Sequence, residues 1–590
     1  MDGAAAARSM QRSSAATYSA VRAFVDGLAR AGLREVCIAP GARSTPLALV
    51  LAHDARLRCW SHIDERSAAF FALGLAKTSR APAAVLSTSG TAAAHFFPAL
   101  IEARYAHVPL IALTADRPPE LRECGAFQAI DQLKLYGDQA KWFCEVGDPA
   151  AGAPYFRSLG TRAVATAAAA PAGPVHLNFP FREPLGPESA VDLRPRADGP
   201  AAAISHAPTR LPNPAGLDAL AEQLGAAPRG VIVCGPLDAD AATCASIAEL
   251  AARCGWPILA DATAQLRDGA HDRSQVVAGY DLLLRDGGLA DRLSPDLVLR
   301  IGPLPISKAL MLWLRDRPSR RHVVVDPAGG WDDPLHCATE IVPADIAPLC
   351  RALAQRVPPR PRSAWLETWL RADHAARAAL TRGLASIAEP FEGSVVATLA
   401  AELPDGATLM VGNSMATRDL DTFWAGGARR RRVLCNRGVN GIDGFASTAL
   451  GAAAATDGPT IALTGDLGFI HDLNGLMAVK RHGIRAVFVV CNNDGGAIFS
   501  YLPIADESAV YEQFIRTPHG LDLRGGVEMY GCGFARAASP AAFRDALAAA
   551  LASPRAEVIE VPIDLAHSVA KHRELWAAGA RAARSGAEGA

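Results

Sequence analysis

The sequence predicts an α/β protein of three doubly wound domains with parallel sheets, and three observations carry that expectation. Residues 460–503 read T-I-A-L-T-G-D-L-G-F-I-H-D-L-N-G-L-M-A-V-K-R-H-G-I-R-A-V-F-V-V-C-N-N-D-G-G-A-I-F-S-Y-L-P. This is an apolar strand, a Gly-Asp turn, a helix and a second apolar strand ending in Asn-Asn-Asp-Gly-Gly, and a crossover of that length joins neighbouring parallel strands. Residues 82–118, set beside 459–496, repeat the same order of proline, strand, small-residue turn, helix, strand and polar turn, a weak internal duplication. Between the two, apolar runs at residues 230–234, 257–260, 297–301 and 322–326 alternate with helical segments, the pattern of a third parallel sheet.

At 590 residues the chain exceeds one hydrophobic core. The expected division is a flexible tail over 1–19, an N-terminal domain over 20–185, a linker over 186–215, a Rossmann-like middle domain over 216–355, a linker over 356–370, a C-terminal domain over 371–578 and a tail over 579–590. Half the residues are apolar and 20% charged, with a formal net charge of -1. Such a balance gives no broad field for nucleic acid or acidic membranes, so an anionic substrate has to be met by local arginines. No apolar run reaches the length of a membrane span. The 12 cysteines are scattered without a C-x-x-C pair, which reads as reduced thiols in a cytoplasmic protein.

Parallel α/β sheets bind ligands at the carboxyl ends of their strands. Asp466 and Asn493, 27 residues apart, are expected to emerge together at one such edge. Asp466 offers a carboxylate oxygen, Asn493 an amide oxygen and Gly495 an unobstructed carbonyl, a hard-oxygen set suited to Mg²⁺ or Mn²⁺. A helix beginning just after Gly468 would aim free N–H groups at an anion on that metal. The run I-A-P-G-A-R-S-T-P places Arg43 in a turn after a strand, and H-I-D-E-R places Glu65 at a strand-to-helix junction before a helix over 67–77. A helix is expected over 92–104. Gln128, in C-G-A-F-Q-A-I, either orients a substrate or caps a backbone group. In the middle domain no G-x-G-x-x-G follows the first strand, so nothing supports nucleotide binding there, while Lys308 follows a strand end. Ser414 and Arg418, four apart, share a helical face, and Arg437 sits in a glycine-rich turn. The arginine run 429–432 reads as an exposed turn.

The G-D-L and N-N pair resembles the thiamine diphosphate motif. The segments L-T-A-D-R-P-P-E-L, V-G-N-S-M-A-T-R, N-R-G-V-N-G-I-D-G and N-N-D-G-G-A-I-F-S-Y-L-P, in this order, are similar to those of the 2-succinyl-5-enolpyruvyl-6-hydroxy-3-cyclohexene-1-carboxylate synthase family of menaquinone biosynthesis. The resemblance implies a thiamine diphosphate-binding fold and a decarboxylating carboligase, in which 2-oxoglutarate loses CO₂ and its succinyl unit is added to isochorismate. It also implies a homodimer, or a dimer of dimers, in which the N-terminal domain of one subunit and the C-terminal domain of its partner share a site. In that family Glu65 would activate the cofactor pyrimidine, with Gln128 as a second catalytic candidate. Ile442 would bend the cofactor, and Gly465, Asp466, Leu467 and Gly468 would hold its diphosphate. Asp466, Asn493 and Gly495 would bind the metal. Ser414, Arg418 and Arg437 would hold substrate carboxylates, Arg43, Gln128 and Lys308, with Arg117 as a lesser member, would help place isochorismate or the intermediate, and Ile498 and Phe499 would line the cleft. Two residues depart from the family pattern: Ala42 stands where a serine is usual, and Gly468 where serine or threonine is common. The rival expectations are an acetolactate-type synthase carrying FAD, or another 2-oxoacid decarboxylase, and, from another class, a non-catalytic cofactor-binding regulator.

Overall fold

The computed structural model describes residues 2–187, 192–194, 203, 205–506 and 510–588. Of the linker expected over 186–215, residues 188–191, 195–202 and 204 lie outside the described residues. The chain divides into two compact bodies, one of residues 1–207, 436–457 and 471–485, the other of residues 208–435, 458–470 and 486–590.

The first body holds a sheet of six parallel strands, β1 (Glu35–Ile38), β2 (Arg58–Ser61), β3 (Ala83–Ser87), β4 (Leu110–Asp116), β5 (Trp142–Glu145) and β6 (Val175–Pro180), in the order β2-β1-β3-β4-β6-β5. Strands β3 and β4 are buried along their whole length, as expected of an apolar run covered on both faces. A helix spans Asp2–Arg30, so the expected tail over 1–19 is helical instead. Alanine-rich sequence has high helix propensity, and the segment docks where Ser14 Oγ donates to Gly186 O (3.1 Å) and Tyr18 OH to Leu185 O (2.7 Å). The helix expected over 92–104 is broken into Thr91–Ala94 and Phe97–Tyr105. Pro98 lacks the N–H that would continue the first turn into the second.

The second body holds two sheets. The middle one comprises β7 (Gly230–Cys234), β8 (Ile258–Ala260), β9 (Val276–Val277), β10 (Leu297–Ile301), β11 (Arg321–Val325) and β12 (Glu340–Val342), ordered β12-β11-β10-β7-β8-β9 and all parallel. This is the Rossmann strand order. Its own chain fills the switch point between β7 and β10, where a Cβ on Gly235 would lie 1.8 Å from Pro303 O.

The third sheet comprises β13 (Thr408–Val411), β14 (Arg432–Cys435), β15 (Thr460–Gly465), β16 (Val487–Asn492), β17 (Gly533–Arg536) and β18 (Glu557–Pro562), ordered β14-β13-β15-β16-β18-β17. Strand for strand this is the topology of the first sheet, and the repeated segments occupy its third and fourth strands in both cases. The tail expected after residue 578 is helical, within Leu565–Glu588, because Gly579, Ala580, Ala583 and Ala587 form a buried small-residue face. The arginine run is only partly exposed: Arg429 and Arg430 lie at the surface, whereas Arg431 is buried and ion-paired with Asp268 at 2.5 Å.

Candidate active site

In the first body β2 delivers the chain to the helix Glu65–Ser79. Asp64 is its N-cap, accepting from the N–H groups of Arg66 (2.7 Å) and Ser67 (3.2 Å) through Oδ1, while Oδ2 accepts from Asn474 Nδ2. Arg66 Nη2 donates to His471 O (3.0 Å) and stands 3.7 Å from Asp472 Oδ1. Asp472 is fully buried, accepts from Ser447 N (2.7 Å), and burial pushes its carboxyl up to about 6. Further along, the helix crosses Phe445–Ala454 in backbone contact, since a Cβ on Gly74 would meet Thr448 O at 2.1 Å and one on Gly451 would meet Phe71 O at 2.1 Å. Glu65 is thus fixed from both sides. It is itself half-buried, and its carboxylate has no hydrogen-bond partner among the described residues.

Arg43, Arg117 and Gln128 meet around the turn after β3. Arg117 Nη1 donates to Ser89 Oγ, and Gln128 Nε2 to Ser89 O (3.0 Å). Gln128 does so from a left-handed backbone (φ 56°) and is exposed. Gln132, which sequence reading did not single out, pins the same turn by accepting from Gly90 N (2.9 Å). Arg43 is buried, donating through Nη1 to Phe181 O (3.0 Å) and through Nη2 to Glu183 (3.2 Å). Burial and the neighbouring Arg43 cation both lower the Arg117 pKa. Two guanidinium groups held this near to each other favour an anion between them.

The turn bearing Arg437 is held by a residue with no motif to announce it. Glu102, buried on the helix Phe97–Tyr105, accepts from Gly438 N through Oε1 and from Val439 N through Oε2, both at 2.9 Å. Lys77 lies 3.7 Å away. Gly444 is required at the end of this loop, with φ 64° and no room for a Cβ against the Phe70 ring (1.9 Å), and Ile442 stays 38% exposed. Replacing Glu102 with Gln turns an NH₂ toward one of the two N–H groups. The expected loss is about 1–3 kcal/mol, read as amide hydrogen exchange roughly 5- to 150-fold faster at Gly438 and Val439; unchanged protection would show that the turn stands without the carboxylate.

In the second body β13 and β15 are neighbours at the point where the strand order reverses, and β15 pairs in parallel with β16. Asp466 opens a short helix, Asp466–His471, before the expected start after Gly468, and its own Oδ1 accepts from Leu467 N (2.6 Å). Gly468 is buried in that first turn. The Asp466 Oδ2 atom accepts from Gly495 N (2.9 Å) and from His519 Nε2 (3.3 Å). His519 Nδ1 accepts from Leu521 N (3.0 Å), so the proton sits on Nε2, facing the carboxylate. Burial raises the Asp466 pKa against these donors. Asn493 is buried, and its Oδ1 has no hydrogen-bond partner among the described residues. Gly495 has φ 137°, and a Cβ there would lie 2.4 Å from Arg516 O.

These donors fit a hard divalent cation: a buried carboxylate, a buried amide oxygen with no partner among the described residues, and a carbonyl on a glycine that nothing larger can replace. No cluster of three His, Cys, Asp or Glu suited to a metal occurs among the described residues, and this donor set needs none. Neither His519 nor Arg516 belongs to a motif, and only their return to β16 in the folded chain shows them.

Ser414 caps the helix Met415–Phe423 from a sparsely populated backbone conformation (φ 65°, ψ −130°), and Arg418 Nη1 donates to its carbonyl at 2.7 Å. The two therefore act as one unit, as their spacing predicts. Ile498 and Phe499 lie half-buried on the turn Ala497–Tyr501, which follows β16. Lys308 begins the helix Lys308–Asp316 and is exposed, with no described hydrogen bond or ion pair to Ser414, Arg418 or Asp466.

Comparison with known proteins places this geometry. The chain matches, in order, the families described as thiamine pyrophosphate enzyme, N-terminal TPP binding domain (residues 19–135), middle domain of thiamine pyrophosphate (221–411) and thiamine pyrophosphate enzyme, C-terminal TPP binding domain (422–561). It is 49% identical to a 2-succinyl-5-enolpyruvyl-6-hydroxy-3-cyclohexene-1-carboxylate synthase of Geobacillus kaustophilus, over 94% of this chain and 96% of that protein. A Geobacillus thermodenitrificans protein of the same name is 49% identical over 94% and 95%, and one of Chloroflexus aurantiacus 42% identical over 94% and 95%.

Proposed function

The chain belongs to the 2-succinyl-5-enolpyruvyl-6-hydroxy-3-cyclohexene-1-carboxylate synthase family of thiamine diphosphate enzymes, and from that premise we propose how its residues divide the work. The reaction is the decarboxylation of 2-oxoglutarate and addition of its succinyl unit to isochorismate, a step of menaquinone biosynthesis. Thiamine diphosphate, when bound, supplies the carbon nucleophile and the electron sink for both halves of that chemistry. Everything else falls to the protein.

Asp466, Asn493 and Gly495 hold Mg²⁺ or Mn²⁺, and the turn of Gly465, Asp466, Leu467 and Gly468 receives the diphosphate. The observation that carries this assignment is the buried Asn493 Oδ1, without a hydrogen-bond partner among the described residues, just past the end of the strand that pairs with the one leading into Asp466. With Gly468 in place of a hydroxyl residue, contact to the diphosphate comes from backbone N–H groups at that position. Ile442 packs against the cofactor from its half-exposed position. Glu65 exchanges a proton with the cofactor pyrimidine, its carboxylate being the one group in the 64–66 run not engaged in capping or tying the helix.

Both substrates are dianions, so their recognition is a task for cations in fixed geometry. Arg418, propped by the Ser414 carbonyl, and Arg437 on the turn held by Glu102 take carboxylates of the two substrates. Arg43 and Arg117, with Gln128, form a second anion position around Ser89. Ile498 and Phe499 supply an apolar wall. Lys308 is a long-range cation in this scheme. The protein acts as a cytoplasmic homodimer or dimer of dimers, each subunit's Glu65 half serving its partner's metal half. Among the described residues no helix is long and apolar enough to cross a membrane.

Purified protein given thiamine diphosphate, Mg²⁺ and 2-oxoglutarate is expected to release CO₂ faster when isochorismate is added. Equal release with and without isochorismate would reassign it as a plain decarboxylase. Arg437→Ala is expected to raise KM for at least one substrate about 10- to 100-fold, the value of a lost charged hydrogen bond. An unchanged KM for both would remove Arg437 from recognition.

A further inference from the structure

The helix that carries Arg418 and the turn that carries Ile498 and Phe499 both reach a buried polar cluster that no step above uses. Its centre is His572, fully buried on the helix Leu565–Glu588. Its Nε2 lies 2.8 Å from Asp419 Oδ1, and its Nδ1 lies 2.9 Å from Ser568 O and 2.9 Å from Tyr501 OH. The carboxylate only accepts, so Nε2 carries a proton that it donates to Asp419, and a second proton on Nδ1 would make the ring an imidazolium. Burial works against that charge, but the Asp419 carboxylate outweighs it and holds the ring's pKa above its ordinary value. Four aromatic rings surround the imidazole: Phe391 at 4.7 Å between centroids, Trp576 at 5.4 Å, Tyr501 at 5.7 Å and Phe423 at 5.9 Å. The neighbouring Glu392 accepts from Ser568 Oγ (2.7 Å), and burial together with Asp419 raises its pKa. The cluster thus pairs His572 with the Asp419 carboxylate and sets the Glu392 carboxyl beside them.

Two partners of His572, Asp419 and Tyr501, belong to elements of the candidate site. Asp419 follows Arg418 on the helix that Ser414 caps, and Tyr501 ends the turn carrying Ile498 and Phe499. The Ser414 backbone is sparsely populated (φ 65°, ψ −130°), and such a conformation persists only where its surroundings fix it. Asp419, on the same helix, ties it to His572, and its other oxygen has no hydrogen-bond partner among the described residues.

We propose that His572, through Asp419 on one side and Tyr501 on the other, is a positioning residue that sets the spacing of the Arg418 and Phe499 walls and so the affinity for the dianionic substrates, without touching them. The inference rests on the assignment of Arg418 to substrate binding. It names no role for the metal or diphosphate contacts, which the cluster does not reach by any described hydrogen bond.

The test measures KM and kcat for 2-oxoglutarate and isochorismate, thiamine diphosphate affinity with Mg²⁺ by calorimetric titration, and Tm, in His572→Gln, Asp419→Asn, Tyr501→Phe and Arg418→Ala. The expected result is KM raised about 10- to 100-fold in the first three, the usual effect of a small misplacement of binding groups, with cofactor affinity within about twofold of the parent. Tyr501→Phe removes one hydroxyl and keeps the ring, so it remains decisive if His572→Gln fails to fold. Joining Asp419→Asn to His572→Gln removes both titratable partners and is expected to recover part of the Tm lost by either alone. A lower Tm with KM unchanged in Tyr501→Phe and in any folded His572 or Asp419 variant, while Arg418→Ala raises KM, would make the cluster a structural plug and overturn the proposal alone. Unchanged KM in Arg418→Ala would overturn the substrate assignment beneath it as well.

Discussion

Glu65→Gln is expected to bind thiamine diphosphate within about tenfold of the parent affinity and to lose roughly 100- to 10,000-fold of turnover, the usual contribution of a positioned acid or base. The amide keeps the shape of the side chain and its capacity to hydrogen-bond, but it cannot exchange a proton. Nothing nearby takes its place. Asp64 is one residue away, yet both its oxygens are engaged, one by the N–H groups of Arg66 and Ser67 and the other by Asn474. Asp472 is fully buried beneath Arg66. Steady-state turnover with a parallel calorimetric titration of the cofactor separates the two effects, and near-normal turnover would falsify the proton-transfer role of Glu65. Loss of cofactor binding in equal measure would make Glu65 a binding group instead.

The same residues show how far sequence alone reaches. Glu65 is legible because a short strand, an acid and a helix follow one another within ten residues, and because the fold is built from exactly such local crossings of the chain from β to α, the strands and turns around Asp466 and Asn493 are legible for the same reason. The match in strand order between the first and third sheets gives physical form to the weak repeat of 82–118 and 459–496. What sequence does not carry is the return of distant chain. Asn474 reaches Asp64 across 410 positions and Glu102 reaches Gly438 across 336, and neither has a spacing to betray it. Arg43 illustrates the cost: its turn marks it as an anion contact, but the folded chain also gives it Phe181 O and Glu183 as partners. Helix ends were misjudged too, as where the helix starts early at Asp466, whose carboxylate accepts the next N–H.

Asp466→Asn and Gly495→Ala attack one site by different physics, and comparing them tests whether it holds a metal. Asn in place of Asp466 keeps the acceptor for the N–H groups of Leu467 and Gly495 through its amide oxygen, but removes the negative charge and sets an NH₂ against one of these donors. A hard divalent cation depends on that charge. Loss of a charged contact of this kind, about 2–4 kcal/mol, corresponds to cofactor binding weakened roughly 30- to 1,000-fold in Mg²⁺. The folded protein should lose little, since a buried carboxylate whose pKa is raised by burial is no source of stability when nothing positive is bound to it. Gly495→Ala leaves every charge in place. Its Cβ would meet Arg516 O at 2.4 Å on a backbone of φ 137°, so the carbonyl proposed to face the metal must move. Strain of about 1–3 kcal/mol is expected to appear both as a lower Tm and as weaker cofactor binding. Titrating thiamine diphosphate against each variant at several Mg²⁺ concentrations reads the difference. For Asp466→Asn the apparent affinity should rise little with added Mg²⁺, whereas for Gly495→Ala added Mg²⁺ should recover much of it. Identical Mg²⁺ responses in the two variants and the parent would mean that the diphosphate is held by backbone N–H groups alone, and Asp466, Asn493 and Gly495 would have to be reassigned as a structural turn.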